Sequence, residues 1–111
     1  MPSRDYLGNF ELIVMLSLMR LDENAYGVPI SREIEETTGR EVALASVYAT
    51  LERLESKGLV SSELGDPTPE RGGRAKKYFH ITARGLGKLR QARRVLRKLW
   101  RRLPELEGRA T

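Results

Sequence analysis

Arg71, Arg74, Lys76 and Lys77 place four cations within seven positions, around Gly72-Gly73 and with Glu70 as the nearest acid. Ammonium and guanidinium groups at that density are phosphate-binding chemistry, and paired glycines let a backbone turn sharply and come close to a ligand. A second set lies upstream. Ser46, Ala49, Thr50, Arg53 and Lys57 share one side of a helical spacing, with Tyr48 near its edge. Small hydroxyl and methyl groups, one guanidinium and a phenol suit close approach to base edges. Arg can bridge a guanine, and Thr or Ala can meet a thymine methyl. Each set alone has a plainer reading: a solvated helix face, or an exposed hairpin whose lysines protect an edge from aggregation. Their order in the chain, a helix followed at once by a basic hairpin, points to two contacting devices side by side, one for the major groove and one for phosphates or the minor groove.

Little else in the chain offers chemistry. With no cysteine there is no disulfide, thiolate nucleophile or Cys-ligated zinc. His80 is the sole histidine and reads as a solvated strand residue, so no metal site is expected. Glu33, Glu35, Glu36 and Glu41 cluster on a surface helix and its exit, not in a paired catalytic arrangement. No Gly-rich phosphate loop or nucleophile elbow is present. The expectation is a protein that is not an enzyme and carries no cofactor.

The elements that must position these residues are legible from periodicity. A first helix is predicted from Gly8 or Asn9 to Leu21. Its apolar residues, Phe10 through Met19, are too many for one face of a surface helix, so cover on two sides is expected. Asp22-Glu23-Asn24 reads as a polar turn. A second helix starts at Gly27 or Val28, with Pro29 in its first turn and Ile30 and Ile34 inward, and stops at Thr38-Gly39. Val42 reads as a brief strand. A third helix begins at Ala45 or Ser46, buries Val47, Leu51 and Leu54, and closes at Lys57-Gly58. Leu59 to Leu64 and Ala75 to Ile81 read as strands, with Phe79 and Ile81 facing the core. Thr82 caps a fourth helix from Ala83 to about Leu103, ended by Pro104. Leu86, Leu89, Ala92, Val95, Leu96, Leu99, Trp100 and Leu103 line one half of that helix, and Arg90, Arg94, Arg97, Lys98 and Arg101 the other.

The predicted fold is mainly α with a small β-hairpin (α+β): a winged helix-turn-helix over residues 1–82, a long C-terminal dimerisation helix over 83–104 and a flexible tail over 105–111. At 111 residues the chain is the size of one domain. The net charge of +5 hides an asymmetry. Residues 1–70 carry six basic and thirteen acidic side chains, and residues 71–111 fourteen and two. A polyanion is therefore drawn to the hairpin and the last helix, not to the molecule as a whole. The basic face of that helix reads as solvated, as a nonspecific phosphate contact, or as a membrane-surface helix. No apolar run is long enough to span a bilayer and no signal peptide is visible, so a cytoplasmic location without membrane contact is expected.

The chain resembles the PadR-like transcriptional regulators. The likeness rests on Leu7-Gly8-Asn9-Phe10-Glu11-Leu12, Ala25-Tyr26-Gly27, Ser46 to Glu55, Lys57-Gly58-Leu59-Val60 and Arg71 to Phe79, and covers about residues 7 to 103. The run Tyr48-x-x-Leu51-x-x-Leu54, with Lys57-Gly58-Leu59-Val60 just after it, is its most specific part. The resemblance implies a homodimeric winged-helix repressor of the short type, with one C-terminal helix that dimerises, acting on double-stranded DNA with a palindromic operator. DNA-contacting positions carry over to Tyr48, Thr50, Arg74, Lys76 and Lys77; with the helix face and loop above, the DNA-binding set becomes Ser46, Tyr48, Ala49, Thr50, Arg53, Arg71, Arg74, Lys76 and Lys77. A dimer interface is expected from Phe10, Leu89, Leu96, Leu99, Trp100 and Leu103, with Arg93 a departure in the middle of that stripe. Trp100 reads as a dimer-core anchor or, with Leu96, as the lining of a site for a small planar aromatic effector. The competing reading is a winged-helix module for protein–protein contact without specific DNA binding.

Overall fold

A computed structural model describes residues 7–65 and 76–106. The first helix, α1, spans Asn9–Leu21. Its entry is held by the Gly8 N–H, which donates to Glu11 Oε1 at 2.9 Å. Val14, Met15 and Leu18 are buried, while Leu16 and Met19 remain exposed on the same helix. A single chain thus covers one side of α1 and leaves the other open, as its excess of apolar residues requires. A 3-10 turn over Asp22–Asn24 leads to α2, Gly27–Thr38, which buries Ile30 and Ile34. Gly39 ends α2 at φ 75°, a left-handed conformation that favours glycine, with its N–H bonded to the Glu35 carbonyl.

The connection to the next helix contains no strand. Val42 N–H donates to the Glu35 carboxylate at 3.3 Å, so a side chain supplies the acceptor that a strand partner was expected to provide. The third helix, α3, spans Leu44–Ser56, entering one or two residues earlier than the sequence suggests. It closes as expected at Lys57, followed by Gly58 at φ 78°.

The hairpin consists of β1, Val60–Leu64, antiparallel to β2, Lys77–Ile81, with Val60 opposite Ile81 and Leu64 opposite Lys77. Leu59 lies just before β1 because its N–H is committed to the Leu54 carbonyl at the α3 exit. Ala75, predicted to open the second strand, lies outside the described residues. Phe79 is buried, and its N–H bonds the Ala25 carbonyl at 2.8 Å, which pins the segment before α2 onto the sheet.

Thr82 joins three elements. Its hydroxyl donates to the Gly58 carbonyl at 2.7 Å and accepts the Gly85 N–H at 3.0 Å, while its own N–H bonds the Leu59 carbonyl at 3.1 Å. From this cap α4 runs Ala83–Trp100. It stops three residues short of Leu103. Pro104 has no N–H for the Trp100 carbonyl, and its ring disfavours a helical Leu103. The chain leaves the helix at Arg101, passes Arg102 at φ 63°, and forms a 3-10 turn at Pro104–Leu106 where a frayed tail was predicted. The core is one cluster from α1, α2, α3, the hairpin and Leu89 of α4. Beyond Leu89, every residue of α4 except Ala92 is exposed. The radius of gyration, 16.1 Å, exceeds the ~13 Å of a compact chain this long because α4 projects from the domain. The architecture is a winged helix-turn-helix with a long C-terminal helix.

Candidate nucleic-acid interface

The open face of α3 presents Ser46, Ala49 and Arg53, with Tyr48 at its edge and 37% exposed. Thr50 departs from the expectation. It is 2% exposed and lies among the core residues instead of on the open face. Positions 47, 50, 51 and 54 form one i, i+3, i+4, i+7 stripe, so the spacing carries Thr50 inward although its hydroxyl suggests the opposite. Direct base contact by Thr50 does not fit this placement. Its hydroxyl is instead an acceptor for Arg53 Nη2 at 3.2 Å, so Thr50 orients the guanidinium that does face outward.

The Tyr48 ring lies against a glycine on the neighbouring helix. A Cβ built at Gly27 would collide with the Tyr48 hydroxyl and lie 2.6 Å from its Cζ, so only a residue without a side chain admits the ring here. Gly27 sits in the quoted Ala25-Tyr26-Gly27 run, yet nothing in its spacing links it to Tyr48. Beside it, Tyr26 meets Tyr78 of β2 edge-to-face at 5.3 Å, and Lys76 Nζ stands 4.7 Å above the Tyr26 ring. These contacts clamp the base of the hairpin to the start of α2.

The two described cations of the hairpin point in different directions. Lys76 is half-buried over Tyr26 at the wing's root. Lys77 faces α3: its Nζ lies 4.0 Å from Glu55 Oε1 and 5.6 Å from the Phe79 ring centroid. Glu55 also accepts the Ser62 hydroxyl at 2.7 Å. Lys77 therefore shares a face with buried Phe79, as strand alternation demands, and it must leave Glu55 to reach a phosphate. Arg71 and Arg74 lie outside the described residues. His80 sits 3.5 Å from Glu63 across the hairpin.

One residue of this region escaped the sequence reading. Glu11 of α1 is 8% exposed; it accepts two hydrogen bonds and has a third donor group nearby. The Gly8 N–H reaches Oε1, Lys57 Nζ reaches Oε2 at 2.9 Å, and Arg53 Nε stands 3.9 Å from Oε2. Burial pushes the carboxyl pKa up, but the Lys57 bond, the Gly8 N–H and the charges of Lys57 and Arg53 outweigh it, and the net value lies below the ordinary 4.5. The available signal was an acid inside an otherwise apolar helix, three residues after a helix-capping glycine. A similar tie links the far end of α1 to α2, where Arg20 Nε donates to Glu33 at 2.5 Å and holds the Glu33 pKa down.

On the opposite side of α1 an apolar trough of about 440 Å³ lies against α4, with Leu12, Leu16 and Met19 on one wall and Leu96 and Trp100 on the other. Arg93 and Arg97 stand along the α4 wall. Of the six residues expected at a dimer interface, Leu96, Leu99, Trp100 and Leu103 are exposed. Leu89 is buried in the chain's own core and Phe10 packs half-buried against that core, so neither is free surface. Leu89 lies in the second turn of α4, where the helix still overlies the domain, before it projects.

Among the described residues no group of three or more His, Cys, Asp or Glu could hold a metal, and no helix is long and apolar enough to cross a membrane. Comparison with known proteins places these features in a family. The family model described as "Transcriptional regulator PadR-like family" matches residues 15–91. An uncharacterized protein of Lysinibacillus sphaericus is 31% identical over 101 residues, covering 89% of this chain and 84% of that one. A PadR-like transcription factor of Bacteroides fragilis superposes with a TM-score of 0.73 at 25% identity, over 95% of this chain and 94% of the other. A PadR family transcriptional regulator of Eggerthella lenta does so with a TM-score of 0.65 at 30% identity, over 86% and 81%. With the winged-helix architecture and this match across most of its length, the chain belongs to the PadR-like family of transcriptional regulators.

Proposed function

We propose that the chain is a sequence-specific DNA-binding regulator, a ligand-responsive repressor that works as a cytoplasmic homodimer on a palindromic operator. The observation that carries this reading is the open face of α3. Arg53 is oriented there by Thr50 and Glu11, beside Ser46, Ala49 and Tyr48, and next to a hairpin with a lysine at its root. In this reading Arg53 and Tyr48 reach base edges in the major groove, and Lys76, with Arg71 and Arg74 of the loop, neutralises phosphates. Lys77 joins them once DNA draws it from Glu55.

The apolar trough and the exposed end of α4 support the dimer. Leu16, Met19, Leu96, Leu99 and Trp100 leave a surface that a second copy would cover, at ~25 cal/mol per Å2 of apolar area removed from water. A planar aromatic effector would stack on Trp100 beside Leu96 between the subunits. Such a ligand needs only ~1–3 kcal/mol of coupling to move a DNA equilibrium.

The test is selection of bound duplexes from a random library by the purified protein, followed by sequencing. The expected result is enrichment of two inverted half-sites about 34 Å apart or a multiple of it, with binding that weakens steeply as salt rises. Recovery of no common sequence would refute the reading and favour the protein–protein module.

A further inference from the structure

We propose that Glu11 is a positioning residue for DNA readout: it orients Arg53 toward a base and withholds Arg53 and Lys57 from indiscriminate phosphate binding. This rests on the DNA-binding reading above. The geometry that points to it is a single carboxylate, nearly buried on α1, that meets both cations of the outer half of α3. Lys57 Nζ is at 2.9 Å and Arg53 Nε at 3.9 Å. On the same edge of the guanidinium, Nη2 donates to Thr50 at 3.2 Å. A guanidinium drawn toward Glu11 on its Nε side and bonded to Thr50 through Nη2 is restricted in its orientations. The Arg53 side chain is 57% exposed, which leaves its remaining N–H groups within reach of a ligand. Bidentate recognition of a guanine depends on such a fixed fork.

The charge balance makes the second half of the proposal. A free Arg53 and a free Lys57 would each bind any phosphate, which adds affinity without sequence information. Glu11 offsets part of both charges from a position that DNA cannot reach. It therefore lowers affinity for all duplexes and leaves the directional contact of Arg53 in place. Its anchor is rigid, because Oε1 is tied to the Gly8 backbone at the start of α1.

The experiment compares wild type, Glu11→Gln, Arg53→Gln and the double variant on two probes. One is the duplex recovered by selection, and the other is a scrambled duplex of equal length and composition. Glu11→Gln is expected to tighten scrambled-duplex binding ~3–10-fold and to steepen its salt slope by about 1–2. It should cut the preference for the selected duplex at least ~5-fold. In the Arg53→Gln background the loss of preference on removing Glu11 should vanish, because Glu11 acts on preference through Arg53. A purely structural Glu11 would weaken both probes together and do so in either background, which overturns the proposal. If Glu11→Gln fails to fold, Lys57→Gln replaces it. That variant leaves Glu11 to Arg53 alone, so scrambled-duplex affinity should fall while preference is kept; a collapse of preference there overturns the proposal. If wild type itself shows no preference, the DNA-binding reading has failed. If wild type discriminates and Glu11→Gln discriminates equally, only the role of Glu11 has failed.

Discussion

Gly85 and Gly87 stand two residues apart in α4, and the same substitution at each should act with opposite sign. A Cβ at Gly85 would collide with the Leu59 carbonyl oxygen and lie 3.0 Å from that carbonyl carbon and 3.2 Å from Ile81 Cγ2. The carbonyl cannot simply retreat, because it accepts the Thr82 N–H at 3.1 Å and so belongs to the cap of α4. Overpacking of this kind costs ~1–3 kcal/mol, and a rigid backbone obstacle places it in the upper part of that range. Alanine recovers about 1 kcal/mol over glycine in a helix interior, so Gly85→Ala should destabilise by about 1–2 kcal/mol. A Cβ at Gly87 meets nothing within 4 Å. There only the propensity gain remains, and Gly87→Ala should stabilise by about 0.5–1 kcal/mol. Urea denaturation followed by circular dichroism, at one fixed protein concentration, measures both. The separation corresponds to about 6–24 °C in melting temperature, at ~4–8 °C per kcal/mol for a domain near this size. Equal shifts of the same sign in the two variants would refute the close contact of α4 with the β1 entry.

Other substitutions probe the interface and the open surface. Gly27→Ala should force the Tyr48 ring aside at a stability cost within ~1 kcal/mol, since a flexible side chain can move, and should change the preferred DNA sequence; an unchanged selection profile would separate Tyr48 from readout. Leu96→Glu should yield monomers in sedimentation at micromolar concentration if the α1–α4 trough is where a second copy packs, and a persistent dimer would move the interface elsewhere. Lys76→Ala should weaken binding to all duplexes alike and reduce the salt slope by about 1, whereas a changed sequence preference would contradict a phosphate role. The Glu11 carboxyl lies below its unfolded value of 4.5, so its stabilisation is complete above that pH and is lost as pH falls through the folded-state value. The stability gap between wild type and Glu11→Gln should therefore be full at pH 7, of the order of 1–2 kcal/mol for a charge-assisted bond, and should close in acid; a gap that widened as pH fell would reverse the sign.

What the sequence disclosed depended on whether the determining contacts were local. The ends of α1 and α2 were readable because Gly8, Pro29 and Gly39 act within one turn of themselves. The hairpin is readable because the apolar Phe79 and Ile81 alternate with Tyr78 and His80, and Phe79 is the buried residue of the strand. The end of α4 was misplaced at Leu103 because the apolar stripe continues past Trp100, although Pro104 already forbids the last turn. Thr50 was misplaced because residue type was allowed to outweigh position. A threonine between Val47 and Leu54 on the same stripe goes inward when a neighbour, here Arg53, can use its hydroxyl.

Glu11 marks the harder limit. Its partner Lys57 is 46 residues away, and no periodicity joins the two. Only the packing of α1 across α3 brings the carboxylate to the C-terminal half of α3. The same packing explains why an acid is tolerated inside an apolar stretch. The site is too buried for a lone charge, but two cations and a backbone N–H surround it, so the ionised form is retained. Leu12, the next residue along, faces the trough against α4. Adjacent side chains of α1 thus touch the two surfaces on which the proposed function depends. One meets Lys57 and Arg53, and the other lines the trough opposite Leu96 and Trp100. α1 is therefore the mechanical bridge between them, a role that its sequence, read as an over-apolar core helix, conceals.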